Sequence, residues 1–97
     1  MERVFEWDEK KAESNYRKHG IRFEEAAQVF DDPLALSEQD RIEQGEERWQ
    51  TIGRIGGYLL ILVAQTVLED DDVEVIRIIS ARRLDRKEKK RYEQSQI

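Results

Sequence analysis

The run Tyr58–Thr66 sets the strongest limit on how this chain folds. It reads Tyr-Leu-Leu-Ile-Leu-Val-Ala-Gln-Thr and is apolar at both odd and even positions. A strand with one wet face alternates, so this pattern predicts a strand covered on both faces. Gly56-Gly57 immediately before it is a tight hairpin signal. The preceding stretch Glu47–Ile55 carries Trp49, Thr51, Ile52 and Ile55 and reads as a second strand. Beyond the acidic turn Glu69–Asp72, the β-branched stretch Val73–Ala81 reads as a further strand. Leu34–Asp40 is expected to be a first, edge strand, with a polar loop Arg41–Gly45 behind it.

Helices are expected at both ends. Asp8 is a good N-cap, and the breaker-free stretch to His19 meets Gly20, a left-handed stop, so a helix is predicted over Glu9–His19. Trp7, Ala12, Tyr16 and Ile21 would form its inward edge. Phe23, Ala26, Ala27 and Phe30 recur at three and four residues, which predicts a second helix over 23–30. Glu24 and Glu25 suit its first turn, and Asp31-Asp32-Pro33 ends it. Asp85 can cap a last helix over Arg86–Gln94. The expected order is α-α-β-β-β-β-α: one α+β domain, residues 1–97, with a small antiparallel sheet of about four strands.

Ninety-seven residues, 38% hydrophobic and 40% charged, leave room for one thin core. The absence of cysteine excludes a disulfide framework and a zinc–thiolate site. Met1–Glu6 lacks the apolar stretch of a signal peptide, and Tyr58–Ala64 is too short to span a membrane, so the expected compartment is the cytoplasm. The net charge of −5 hides a split: residues 1–76 carry 9 basic and 19 acidic side chains, residues 77–97 carry 8 and 3. The acidic bulk argues against tight non-specific nucleic-acid binding, while the basic end suits either a local phosphate site or a solvated helix end.

Several side chains are candidates for chemistry. His19, the lone histidine, can move protons near neutral pH or serve as a cation at a helix C-terminus. It cannot build a multi-histidine metal site, and the acids of Glu69–Asp72 lack calcium-loop spacing. Arg48, beside Trp49, can hold a phosphate or a base, or simply pair with Glu46 or Glu47. Arg77 lies inside an apolar strand, where a charge is costly unless paired or at an open face. Arg82 has the opposite parity in a regular strand; a bulge would bring the two together. Glu88 and Tyr92 share a helix face, either as proton-moving groups at a phosphodiester or as a structural ion pair and a packed ring.

Taken in order, Phe5-Glu6-Trp7-Asp8, Asn15, Lys18-His19-Gly20-Ile21, Phe23-Glu24-Glu25-Ala26, Val29–Pro33, Gly45–Arg48, Ile52-Gly53, Arg77–Arg82, Glu88 and Tyr92 resemble the BrnT family of bacterial toxins. The resemblance spans about Phe5 to Tyr92. It implies a RelE-like fold and a type II toxin, an endoribonuclease that cuts RNA and halts translation; cleavage without a metal or other cofactor is the expectation that fits the composition. It also implies a BrnA-type antitoxin with a ribbon-helix-helix part, through which alone the complex would touch operator DNA. RNA supplies its own nucleophile, so the protein needs a base, an acid and cations. Arg48, Arg77 and Arg82 are the candidate cations, His19 and Glu88 the candidate proton-transfer groups, and Lys18, Trp49 and Tyr92 the candidate RNA contacts. The sequence departs from the family near the end of the third strand, where His or Tyr is frequent and Ala64 stands here. The competing expectation is therefore a silent homologue that binds the antitoxin as a co-repressor.

Overall fold

The computed structural model describes residues 2–95. Among these, strands β1 (Glu2–Glu6), β2 (Leu36–Glu43), β3 (Glu46–Ile55), β4 (Leu59–Asp70) and β5 (Val73–Arg83) form one sheet, ordered β1-β5-β4-β3-β2. The helices are α1 (Glu9–His19), α2 (Phe23–Ala26) and α3 (Arg86–Gln94), with a 3-10 turn over Ala27–Asp31.

The central strand is where its two-sided pattern demands. Ile61 and Val63 are fully buried beneath the N-terminal helices with Phe23, Val29, Ile76 and Ile78. Leu62 points the other way and packs with Ile52, Leu84 and Tyr92 of α3. Asp8 caps α1 by accepting from the N–H groups of Lys10 and Lys11, and Gly20 closes it at φ 70°. The backbone N–H donors of Lys11 and Lys10 hold the Asp8 carboxyl below its usual range.

Four expectations are corrected. The sheet has five strands, not four, and it is mixed: β1 lies parallel to β5, with Glu2 opposite Val73 and Glu6 opposite Arg77. Three of the five residues of β1 are charged, so no apolar period announces it, and no hairpin sets its direction. The expected helix over 23–30 tightens into a 3-10 turn after Ala26. Its buried residues Phe23, Ala26 and Val29 are spaced by three, the 3-10 period. The strands also run longer than expected. β2 continues to Glu43, and the β4–β5 turn narrows to Asp71-Asp72 at φ 46° and 48°, a conformation Asp tolerates. Tyr16, expected inward, is 43% exposed and lies under the Arg22 guanidinium, 4.4 Å from the ring centroid.

β1 stops opposite Arg77, so the next stretch of β5 has no strand beside it. Asn15 of α1 takes that place. Its Oδ1 accepts from the Ala81 N–H at 3.1 Å, and its Nδ2 donates to the Ala81 carbonyl at 2.9 Å and to Ile21 at 3.2 Å. The buried amide thus imitates a neighbouring strand.

Candidate RNA-cleavage face

β5 contains an irregularity that decides which side chains meet. Ser80 faces Ala64 and Ile78 faces Gln65, which leaves Ile79 as the extra residue of a bulge. Before it, odd residues of β5 face α3; after it, even ones do. Arg77 and Arg82 therefore share one face of the sheet despite their opposite parity.

Register fixes the rest of that face. Arg41, Arg48, Thr66, Arg77 and Glu6 form one cross-strand row over all five strands. Glu38, Gln50, Ala64 and Ser80 form the next, and Leu36, Ile52, Leu62 and Arg82 the third. α3 covers the third row through Tyr92, which leaves the first two half-exposed or exposed. One strand, β4, separates Arg48 from Arg77, so their backbones stand two strand spacings or about 10 Å apart.

Each candidate cation has an acid beside it. Arg48 is 3.4 Å from Glu43, and Arg77 is 3.5 Å from Glu6. These are long, half-exposed pairs of the kind that contribute little. Arg82 is held more firmly: its two terminal nitrogens donate to the two Glu88 oxygens at 2.8 and 2.9 Å. Glu88 Oε1 also accepts from the Asp85 N–H, closing a capping box at the start of α3. Arg82 is the main cause that holds the Glu88 carboxyl below its usual range, and Glu88 in turn raises Arg82. A carboxylate so engaged is a poor proton carrier and a good clamp for Arg82.

Tyr92, expected to contact RNA, is 1% exposed, and its hydroxyl donates to Asp32 Oδ2 at 2.6 Å. It is a core residue. Asp32 also accepts from the N–H groups of Leu34 and Arg54. Burial pulls its carboxyl upward, but the Tyr92 hydroxyl and the two N–H donors outweigh it and the net shift is down. Burial, then Asp32, pushes the Tyr92 phenol up. Gly53 permits this junction, since a Cβ there would stand 2.7 Å from Val29 Cγ2 and 3.0 Å from Asp32 Oδ2.

Trp49 points to the opposite face of the sheet from Arg48, and Lys18 and His19 end α1, which packs on that same opposite face. One face of the sheet thus carries Arg48, Arg77 and Arg82, the last clamped by Glu88 of α3, but not Trp49, Lys18 or His19. Glu6, Thr66 and Ser80 also stand on this face, and no sequence signal assigned them to it. The parity of Arg48 and Gln50 was visible; the partner strands that complete their rows were not.

A family model described as "Ribonuclease toxin, BrnT, of type II toxin-antitoxin system" matches residues 7–88. The chain belongs to the BrnT family. A 1.1 Å crystal structure of the Brucella abortus ribonuclease toxin BrnT is similar to it, with a TM-score of 0.67 and 22% identity. That match covers 89% of this chain and 100% of the Brucella one, and it shows a shared fold. A search of the curated proteins finds no match. No helix among the described residues is long and apolar enough to cross a membrane. BrnT members are ribonuclease toxins of type II systems, which implies an antitoxin as partner.

Proposed function

We propose that this chain is a metal-independent endoribonuclease that cuts RNA on the two open rows of its sheet and so halts translation in the cytoplasm. A BrnA-type ribbon-helix-helix antitoxin would neutralise it and supply the contacts to operator DNA. The observation that carries this reading is the bulge at Ile79, which puts Arg77 and Arg82 on the same face as Arg48.

The chemistry follows from RNA itself. The ribose 2′-oxygen attacks the adjacent phosphorus, the bond to the 5′-oxygen breaks, and a cyclic phosphate and a 5′-hydroxyl result. Charge accumulates on the phosphorane oxygens, where the Arg48 and Arg77 guanidiniums of the open row would stabilise it, joined by the partly exposed Arg82 from the margin of the row that α3 covers. A phosphate can displace Glu43 and Glu6 from Arg48 and Arg77, because exposed pairs are worth about 0–1 kcal/mol. Glu6, released from Arg77 on the same row, is then a carboxylate placed to take the 2′-proton. Glu88 acts through Arg82 as a positioning residue. Lys18 and His19 are left for RNA phosphates that run past the edge of the sheet.

A second reading is favoured by one residue. Ala64 sits between Gln50 and Ser80 in the centre of the open face and offers no acid–base group. The chain would then be a silent homologue that binds the antitoxin as a co-repressor. Expression of the chain alone separates the two. Growth arrest with RNA degradation that is lost in Arg77→Ala supports the nuclease; healthy cells with soluble, folded protein refute it and leave the co-repressor.

A further inference from the structure

We propose that the cleft on the helix-covered face of the sheet, opposite the arginine rows, receives an arginine side chain from a protein partner. The cleft has a volume of about 490 Å³, with Trp49 and Phe30 among its walls. Ser37 and Gln65 line it and are joined through Thr51. Gln65 Nε2 donates to Thr51 Oγ1 at 2.6 Å, and the Ser37 and Thr51 hydroxyls share a 2.8 Å hydrogen bond. Gln65 is 2% exposed, and its Oε1 has no hydrogen-bond partner among the described residues. A buried acceptor left unpaired is costly, and each such atom in a folded protein calls for an explanation.

The charge around the cleft selects the donor that would fill this gap. Its charged lining residues are Glu47, Glu69, Glu74 and Arg3. Arg3 is already committed, to Glu74 at 3.2 Å and to the Phe30 carbonyl at 3.1 Å. The surplus is negative. A guanidinium satisfies all three features together: an N–H for Gln65 Oε1, a cation over the Trp49 ring, and a positive charge among carboxylates. A nucleobase would satisfy the first two, but its phosphates would meet the glutamates, and the cleft faces away from the arginine rows. The partner is therefore a protein with a basic segment. That the antitoxin supplies this segment rests on the toxin–antitoxin reading above; the chemistry of the cleft does not.

The test is an NMR titration of the full chain with acetyl-Gly-Arg-Gly-amide, its citrulline counterpart and adenosine monophosphate, following the Trp49 indole and Gln65 carboxamide signals. The arginine peptide should shift both signals saturably. Binding should weaken at least about tenfold with citrulline and with Gln65→Leu. Glu69→Gln lies on an exposed strand end, leaves the buried floor intact and should weaken binding several-fold at low salt, which keeps the test valid if Gln65→Leu fails to fold. Arg77→Ala should bind the peptide undiminished, so loss of nuclease activity and loss of this site are read separately. No shift at either signal, equal binding of citrulline, or tighter binding of the nucleotide overturns the proposal.

Discussion

The Tyr92 hydroxyl donates to Asp32 across 60 residues of chain and ties α3 to the segment that enters β2. The same carboxylate holds the Arg54 N–H of β3, so three parts of the fold meet at one side chain. Tyr92→Phe removes the donor and keeps the ring. It should cost about 1.5–3 kcal/mol, the range for a hydrogen bond to a charged group, read as a lowered urea midpoint. RNA cleavage by the folded fraction should persist, because the ring never reaches the open face.

Gly53 makes a second demand on this junction. A methyl group there would meet Val29 Cγ2 at 2.7 Å and Ala35 Cβ at 3.2 Å, both on packed neighbours. Gly53→Ala should therefore destabilise by about 1–3 kcal/mol through overpacking, despite the better strand propensity of alanine. Thermal unfolding of the two proteins checks it. An unchanged midpoint would mean that the 3-10 turn yields freely.

Acid should loosen both attachments of α3. The folded-state pKa values of Asp32 and Glu88 lie below their ordinary ones. The stability they contribute is thus present above the ordinary carboxylate range and is lost as pH falls through the folded values. Tyr92 is raised, so its contribution is present below the ordinary phenol pKa and fades as pH rises beyond it. Urea midpoints should fall below about pH 4, and Asp32→Asn should flatten that fall.

How much of this was legible depended on whether the signal was local. Asp8, Gly20 and Asp85 act on their own backbone neighbours, and both α1 and α3 have the bounds that these residues imply. Gly56-Gly57 likewise fixed the β3–β4 hairpin, with φ values of 59° and 80°. β1 was missed because its partner lies some seventy residues away and its own pattern is mostly charge. The roles of Asp32 and Tyr92 were equally hidden, since nothing near either residue reports the other. The arginine face stood between these cases. The need for a bulge was deducible from the parity of Arg77 and Arg82, but its position at Ile79 was set by α1 and β4.

That dependence yields the last prediction. Asn15 is the residue that holds β5 just past the bulge, through both backbone groups of Ala81. Asn15→Leu keeps the branched shape of the side chain and replaces its polar ends by methyl groups, so it orphans the Ala81 N–H and the carbonyls of Ala81 and Ile21. The cost should be about 3–6 kcal/mol, taking roughly 1–2 for each of the three groups. The effect should not be uniform. Amide hydrogen exchange should accelerate at Ala81 and its neighbours while Ile61 and Val63 in β4 stay protected. If the bulge relaxes, Arg82 turns to the helix-covered face and leaves Arg77 behind. RNA cleavage should then fall more steeply than the folded fraction does. Cleavage that falls only in proportion to the folded fraction would show that the phase of β5 is set by β4 alone.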